Sequence, residues 1–114
     1  MYPDTYILDV NGNPVAEPNL ERRREWFARQ KHRLIRRSYI TKDIYVSTVF
    51  LGIDHNRSGR GRPVLWETMI FGGPQAGYQR RYSTRAEAFK GNVSAIALTK
   101  RGLSHISTIS RRKR

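Results

Sequence analysis

Two runs of β-branched and aromatic residues constrain the fold of this chain more than any other feature. Residues 44–53 read Ile-Tyr-Val-Ser-Thr-Val-Phe-Leu-Gly-Ile, and residues 64–71 read Val-Leu-Trp-Glu-Thr-Met-Ile-Phe. Such runs, bounded by glycine, proline and asparagine, are typical of strands within a sheet. The short segment between them predicts an antiparallel hairpin with strands at 44–55 and 64–72. Residues 78–82 predict a third strand, and residues 6–10, which precede an Asn-Gly turn, are a candidate for a fourth.

Two segments show helical patterns. Thr84 and Glu87 form a capping box, so a helix is expected over residues 84–100, with its apolar side on the sheet and Gly102 as its C-terminal cap. Asn19 is a suitable N-cap for a second helix. Leu20, Phe27 and Leu34 recur at intervals of seven, which predicts that this helix continues to residue 37.

These elements predict an α+β fold in which a small antiparallel sheet packs against the C-terminal helix, with an additional basic N-terminal helix across one edge. The chain of 114 residues is the size of one domain, expected over residues 1–110 and followed by a basic tail at 111–114. The expected core residues are Phe50, Trp66, Phe71 and Phe89.

The charge balance favours a polyanionic partner. Lys and Arg number 22 against nine Asp and Glu, a formal net charge of +13. Most of the basic residues are arginines, whose planar guanidinium groups suit phosphate oxygens and stack on bases. Residues 78–82 combine tyrosines with basic residues, as is found in proteins that bind single-stranded nucleic acid. The predicted nucleic-acid-binding residues are Arg22, Arg23, Arg29, Arg33, Arg36, Arg37, Arg57, Arg60, Arg62, Tyr78, Arg80, Arg81, Tyr82, Arg111, Arg112, Lys113 and Arg114.

Residues suited to catalysis are few. The chain has no cysteine, and its three histidines are widely separated. The candidates for acid–base chemistry are His55, Asp54 and Glu67, near the loop of the predicted hairpin. No paired-histidine spacing suggests a metal site, and the arginine- and glycine-rich loop at 57–62 lacks the lysine of a phosphate-binding P-loop. The sequence therefore favours a protein without catalytic activity, metal or cofactor.

Several blocks of the sequence occur in the same order in one protein family. Residues 46–56 (VSTVFLGIDHN), 66–73 (WETMIFGG) and 82–88 (YSTRAEA), together with the N-terminal segment from Tyr6, resemble a family of small phage and prophage proteins. The resemblance spans about residues 6–97 and implies phage origin and action in the cytoplasm of a bacterial host. It implies no particular activity.

Two departures from the family pattern matter. Members commonly have Gly-His where this chain has Gly91 and Asn92, so any chemical role of that histidine is absent here. Members also tend to be acidic in both helical segments, whereas this chain is rich in arginine. Binding to polyanions is therefore expected to be a property of this chain rather than of the family.

Three functions fit these observations. The first is a protein without enzymatic activity that binds nucleic acid, RNA or DNA, or a host complex containing it. The second is a small adaptor or virion component whose basic surface contacts an acidic protein. The third is an anti-defence protein that sequesters or processes an anionic nucleotide. A membrane partner is not expected, because no apolar run approaches the roughly 20 residues that span a bilayer.

Overall fold

The computed structural model describes the backbone of residues 4–29 and 33–112, with side chains as far as Ser104 except that of Leu34. It is an α+β structure, as expected. Its elements, in chain order, are β1 (Tyr6–Leu8), β2 (Pro14–Ala16), α1 (Leu20–Ala28), β3 (Leu34–Thr41), β4 (Ile44–Phe50), β5 (Trp66–Phe71), β6 (Gln79–Tyr82) and α2 (Arg85–Arg112).

Four strands form one antiparallel sheet in the order β3-β4-β5-β6. Val46 pairs with Ile70 across β4 and β5, and Thr68 pairs with Arg80 across β5 and β6. The predicted hairpin and third strand are thus confirmed, with shorter bounds than expected. Helix α2 packs against this sheet and touches all four strands.

The N-terminal segment, a candidate for the fourth strand, forms a strand but does not join this sheet. β1 pairs with β2 in a separate two-stranded sheet, because the chain reverses at Asn11-Gly12 and β1 takes the nearest partner. The Asp9 carboxylate accepts hydrogen bonds from the amides of Asn11 and Asn13, each 2.9 Å long. A bridge from Thr5 to Ile53 ties this hairpin to the segment after β4.

The prediction of a long basic helix over residues 20–37 is wrong beyond Ala28. Its start is confirmed, since the Asn19 side chain accepts a hydrogen bond from the Arg22 amide at 3.0 Å. The helix ends at Ala28, and residues 34–41 form strand β3. In β3, Tyr39 pairs with Tyr45 through a tight turn into β4. Strand pairing has therefore overridden the helical spacing of Leu20, Phe27 and Leu34. Helix α1 itself carries three arginines and two glutamates.

The C-terminal helix starts as expected and ends later. The Glu87 amide donates to the Thr84 hydroxyl and the Thr84 amide to the Glu87 carboxylate, both at 3.1 Å, which is a complete capping box. The helix continues through Gly102 to Arg112, because residues 103–112 contain no proline or further glycine that would end it. Arg111 and Arg112 of the expected tail end this helix, and Lys113 and Arg114 lie outside the described residues. Among the described residues, no helix has the length and apolar character required to cross a membrane.

The core lies between α2 and one face of the sheet, which we call the covered face. Phe50 and Trp66 are each 1% exposed, as expected of core residues. Phe71 and Phe89 are 38% and 40% exposed, so their assignment to the core is wrong. The buried side of α2 carries small residues instead, which let the helix approach the strands closely. These residues are Ala88, Gly91, Asn92, Ala95 and Thr99.

A short polar network lies inside this core. The hydroxyl groups of Thr48 and Thr68, on neighbouring strands, are 2.6 Å apart, and the Asn92 amide donates to the Thr48 oxygen at 2.8 Å. All three side chains are fully buried. Buried polar groups are tolerated when they bond to one another, as the Asn92 amide nitrogen and the two hydroxyl groups do, whereas Asn92 Oδ1 has no hydrogen-bond partner among the described residues.

Candidate nucleic-acid interface

The second face of the four-stranded sheet is not covered by another element among the described residues. Because successive side chains on a strand point to opposite faces, the residues that alternate with the core form one continuous surface. We call this surface the open face. It consists of Arg37, Tyr39, Tyr45, Ser47, Val49, Glu67, Met69, Phe71, Gln79 and Arg81.

Three aromatic side chains form a row across the open face. Tyr39, Tyr45 and Phe71 are direct neighbours on β3, β4 and β5. The ring centroids of Tyr39 and Tyr45 are 5.0 Å apart, and those of Tyr45 and Phe71 are 4.8 Å apart with the ring planes 18° from parallel. Tyr39 is 61% exposed. We call these three side chains the aromatic row.

Both ends of the aromatic row are accessible. β3 is an edge strand, so no strand of the described part of the chain lies beyond Tyr39. Beyond Phe71, continuing the pairing of β5 with β6 leads to Gly77, where even an added Cβ would meet no atom within 4 Å. The two outer rings of the row, Tyr39 and Phe71, are 61% and 38% exposed.

Next to the aromatic row lies a shallow cleft of about 190 Å³. Arg33 and Arg37 stand at one side, and the Arg37 guanidinium carbon lies 5.5 Å from the centroid of the Tyr45 ring. Ser47 and Glu67 lie at its floor and are nearly buried. The other lining residues are Tyr45, Val49, Met69 and Phe71.

The carboxylate of Glu67 is held from strand β6. Its Oε2 atom accepts hydrogen bonds from Gln79 Nε2 and from Arg81 Nε, the latter at 2.9 Å. The Glu67 side chain is 10% exposed and the Arg81 side chain 43% exposed. The cleft thus combines arginine cations, an aromatic wall and one fixed acceptor group.

Comparison with protein-family models, curated proteins and solved structures finds no match.

The structure divides the arginines that the long helix was expected to align. Arg22 and Arg29 line a wide second cavity of about 580 Å³ between α1 and the N-terminal hairpin, together with Glu17 and Glu25. Arg33 lies at the open face. Arg36 pairs with Thr48 and therefore lies on the covered face. The sequence spacing of Arg22, Arg29, Arg33 and Arg36, at intervals of seven, four and three, predicts that they share one face of a helix continuing to residue 37. This prediction is wrong, because the helix ends at Ala28 and these residues lie on different elements.

The tyrosines predicted to stack bases at 78–82 face the core. Tyr82 is 6% exposed, and burial raises the pKa of its hydroxyl above the ordinary value of 10.0, against the smaller opposing effects of Thr68 and Arg80. Tyr78 packs against the cluster of Val46 and Ile70. In the same strand, Arg81 is on the open face, whereas the Arg80 guanidinium lies 5.8 Å from the Tyr82 ring.

The remaining predicted binding residues lie in other parts of the chain. Arg57, Arg60 and Arg62 are exposed on the loop between β4 and β5. Arg23 lies on α1, with its guanidinium carbon 5.0 Å from the centroid of the Phe27 ring. The side chains of Arg111 and Arg112, and the whole of Lys113 and Arg114, are outside the described part of the structure.

The candidate acid–base residues are not joined to one another by hydrogen bonds. One oxygen of Asp54 accepts from the amides of Asn56 and Val64, each at 2.8 Å, which shapes the start and the end of the loop. His55 Nδ1 donates to the carbonyl of Ile53 at 2.8 Å. Glu67 is engaged by β6. Within residues 4–29 and 33–112, no three acidic, histidine or cysteine side chains are grouped to hold a metal ion.

Sequence reasoning missed the aromatic row. Tyr39 lay just beyond a segment assigned to a helix, and Phe71 was assigned to the core. The signal that identifies the open face is the alternation of Tyr45, Ser47 and Val49 with the buried residues of β4.

Proposed function

We propose that the open face binds single-stranded nucleic acid. The observation that carries this proposal is the aromatic row: three adjacent rings on an uncovered face, of which the two outer ones are exposed to solvent. Nucleobases stack on aromatic side chains regardless of their sequence, because every base has a π-face. Bases inside a duplex are already stacked on their neighbours and do not offer that face, so the partner is a single strand or an unpaired loop.

The charges on and around this face support the same proposal. Arg33 and Arg37 line the cleft beside the row, and Arg81 is ion-paired to Glu67, another residue of its lining. The net charge of +13 attracts a polyanion from a distance, and the nearby guanidinium groups suit its phosphates. Following the sequence resemblance, we propose that the partner is RNA or DNA, or a host complex containing it, in the cytoplasm of a phage-infected bacterium.

The first test compares two phenylalanines of nearly equal exposure. Phe71→Ala should weaken binding of a fluorescently labelled 12-nucleotide single strand by about 5- to 150-fold, which corresponds to the loss of one stacked base. Phe89→Ala, on the outer side of α2, should leave the affinity unchanged. Fluorescence anisotropy measures both, and circular dichroism checks that each variant is folded. Equal affinities for the two variants would rule out the aromatic row as the binding surface.

A second test uses the salt dependence of binding. For single strands, log K falls with log salt at a slope of about −0.7 for each neutralised phosphate. The double variant Arg33→Gln, Arg37→Gln should therefore make the slope shallower by about 1.4. The matched control Arg24→Gln, Arg101→Gln removes the same charge from the two helices and should change the slope far less. Equal changes would show that only net charge matters.

The two alternative functions predict different results. If the basic surface serves an acidic protein, nuclease treatment will not release what co-purifies with the chain. If the cleft takes a single anionic nucleotide, a mononucleotide will compete with the labelled strand at similar concentration, and Phe71→Ala will weaken both equally. Nucleic-acid binding predicts nuclease sensitivity and weak competition by the mononucleotide.

A further inference from the structure

The Glu67 carboxylate has one oxygen that the protein leaves available. Oε2 accepts two hydrogen bonds from β6, but no hydrogen bond from any described residue reaches Oε1. The side chain is nine-tenths buried and lines the cleft beside the aromatic row. A carboxylate on a side chain buried to this extent has lost part of its hydration, which favours a donor from a ligand. The cleft thus contains a carboxylate oxygen, Oε1, to which no described residue donates a hydrogen bond.

Arg81 supplies a donor group next to this acceptor. Its Nε hydrogen is used by Glu67, and its side chain is 43% exposed. The terminal guanidinium nitrogens make no hydrogen bond to a described residue, so they are available to an acceptor on a ligand. The ion pair fixes the donor and the acceptor side by side, which is the arrangement that reads the edge of a nucleobase.

The pattern fits guanine better than the other bases. The Watson–Crick edge of guanine has two adjacent donors, N1–H and the N2 amino group, next to the O6 acceptor. The two donors are adjacent and point the same way, so Oε1 is able to accept from both as a shared acceptor, and O6 matches the Arg81 guanidinium. Adenine, cytosine and uracil each offer only one donor group on this edge. We propose that Glu67 and Arg81 select guanine at one position of the bound strand, a preference that rests on the proposed function.

The test uses labelled eight-nucleotide oligouridine strands with one central substitution. Wild-type protein should bind the strand with central guanine about 5- to 150-fold more tightly than the strand with central adenine. Inosine lacks the N2 amino group but keeps N1–H and O6, so the strand with central inosine should have intermediate affinity. Fluorescence anisotropy gives the dissociation constants, and this comparison requires no variant protein.

A variant assigns the preference to the carboxylate. Glu67→Gln keeps the shape of the side chain but replaces one oxygen by an NH₂ donor, so the guanine-to-adenine affinity ratio should fall towards one. Glu25→Gln, an equal change of charge on α1, should keep the ratio of the wild type.

Three results would count against this inference in distinguishable ways. Equal binding of the guanine, inosine and adenine strands by wild-type protein would overturn the guanine preference and leave the proposed function intact. A ratio that persists in folded Glu67→Gln would overturn the role of the carboxylate. Failure of wild-type protein to bind any of the strands would overturn the proposed function itself.

Discussion

Replacing Phe50 with alanine should lower the free energy of unfolding by about 3–5 kcal/mol. The Phe50 side chain is 1% exposed. Its ring centroid lies 5.7 Å from that of Trp26, 6.2 Å from that of Phe27 and 5.5 Å from that of Trp66. It therefore joins α1 to the sheet, and its loss leaves a cavity where three aromatic rings meet.

The control for this prediction is Phe89→Ala. Phe89 is 40% exposed, and the Arg85 guanidinium carbon lies 5.2 Å from its ring centroid. Its removal should change the free energy of unfolding by no more than about 1 kcal/mol. Urea denaturation followed by tryptophan fluorescence measures both variants. Similar losses would show that α2 packs on the sheet through a different side.

Replacing Gly91 with alanine should destabilise the protein although alanine is the better helix former. A Cβ at Gly91 would overlap the ring and the hydroxyl oxygen of Tyr82, far inside van der Waals contact. Tyr82 is buried and has no room to retreat. Overpacking of this kind costs about 1–3 kcal/mol or more, which outweighs a helix-propensity gain of up to about 1 kcal/mol.

Gly102 provides the matched control in the same helix. A Cβ there would be 3.4 Å from Gln75 Nε2, at the end of a flexible side chain. Gly102→Ala should therefore leave stability unchanged or raise it by up to about 1 kcal/mol. Thermal denaturation followed by circular dichroism compares the two variants. If Gly91→Ala also raised the melting temperature, the close approach of α2 to Tyr82 would be wrong.

The parts of the fold that depend on local signals were predictable from the sequence. The composition of residues 44–50 and 66–71 identified two strands, and Thr84 with Glu87 identified the start of α2. β3 was not predictable in this way, because Leu20, Phe27 and Leu34 mimic a helical period. What makes residues 34–41 a strand is pairing with β4, a contact that local spacing does not encode.

The candidate site was predicted less well than the fold. The excess of basic residues was evident, but its arrangement depended on the long helix that does not form. Alternation along a strand separates Arg80 from Arg81, and the sequence alone does not show which of the two faces the helix covers. Once α2 is known to cover the face of Tyr82, the position of Arg81, Glu67 and Phe71 on the other face follows.

The buried contacts among Thr48, Thr68 and Asn92 restrict how α2 is able to slide. A helix whose packed side carries mainly Ala88, Ala95 and Thr99 has few protruding groups to resist axial displacement along a sheet. Displacement by one turn would separate the Asn92 amide from the Thr48 oxygen and leave dehydrated polar groups in an apolar layer. Other positions of α2 on the sheet are thereby disfavoured. Because α2 holds one position, the open face of the sheet keeps a single curvature and a single spacing of its aromatic rings.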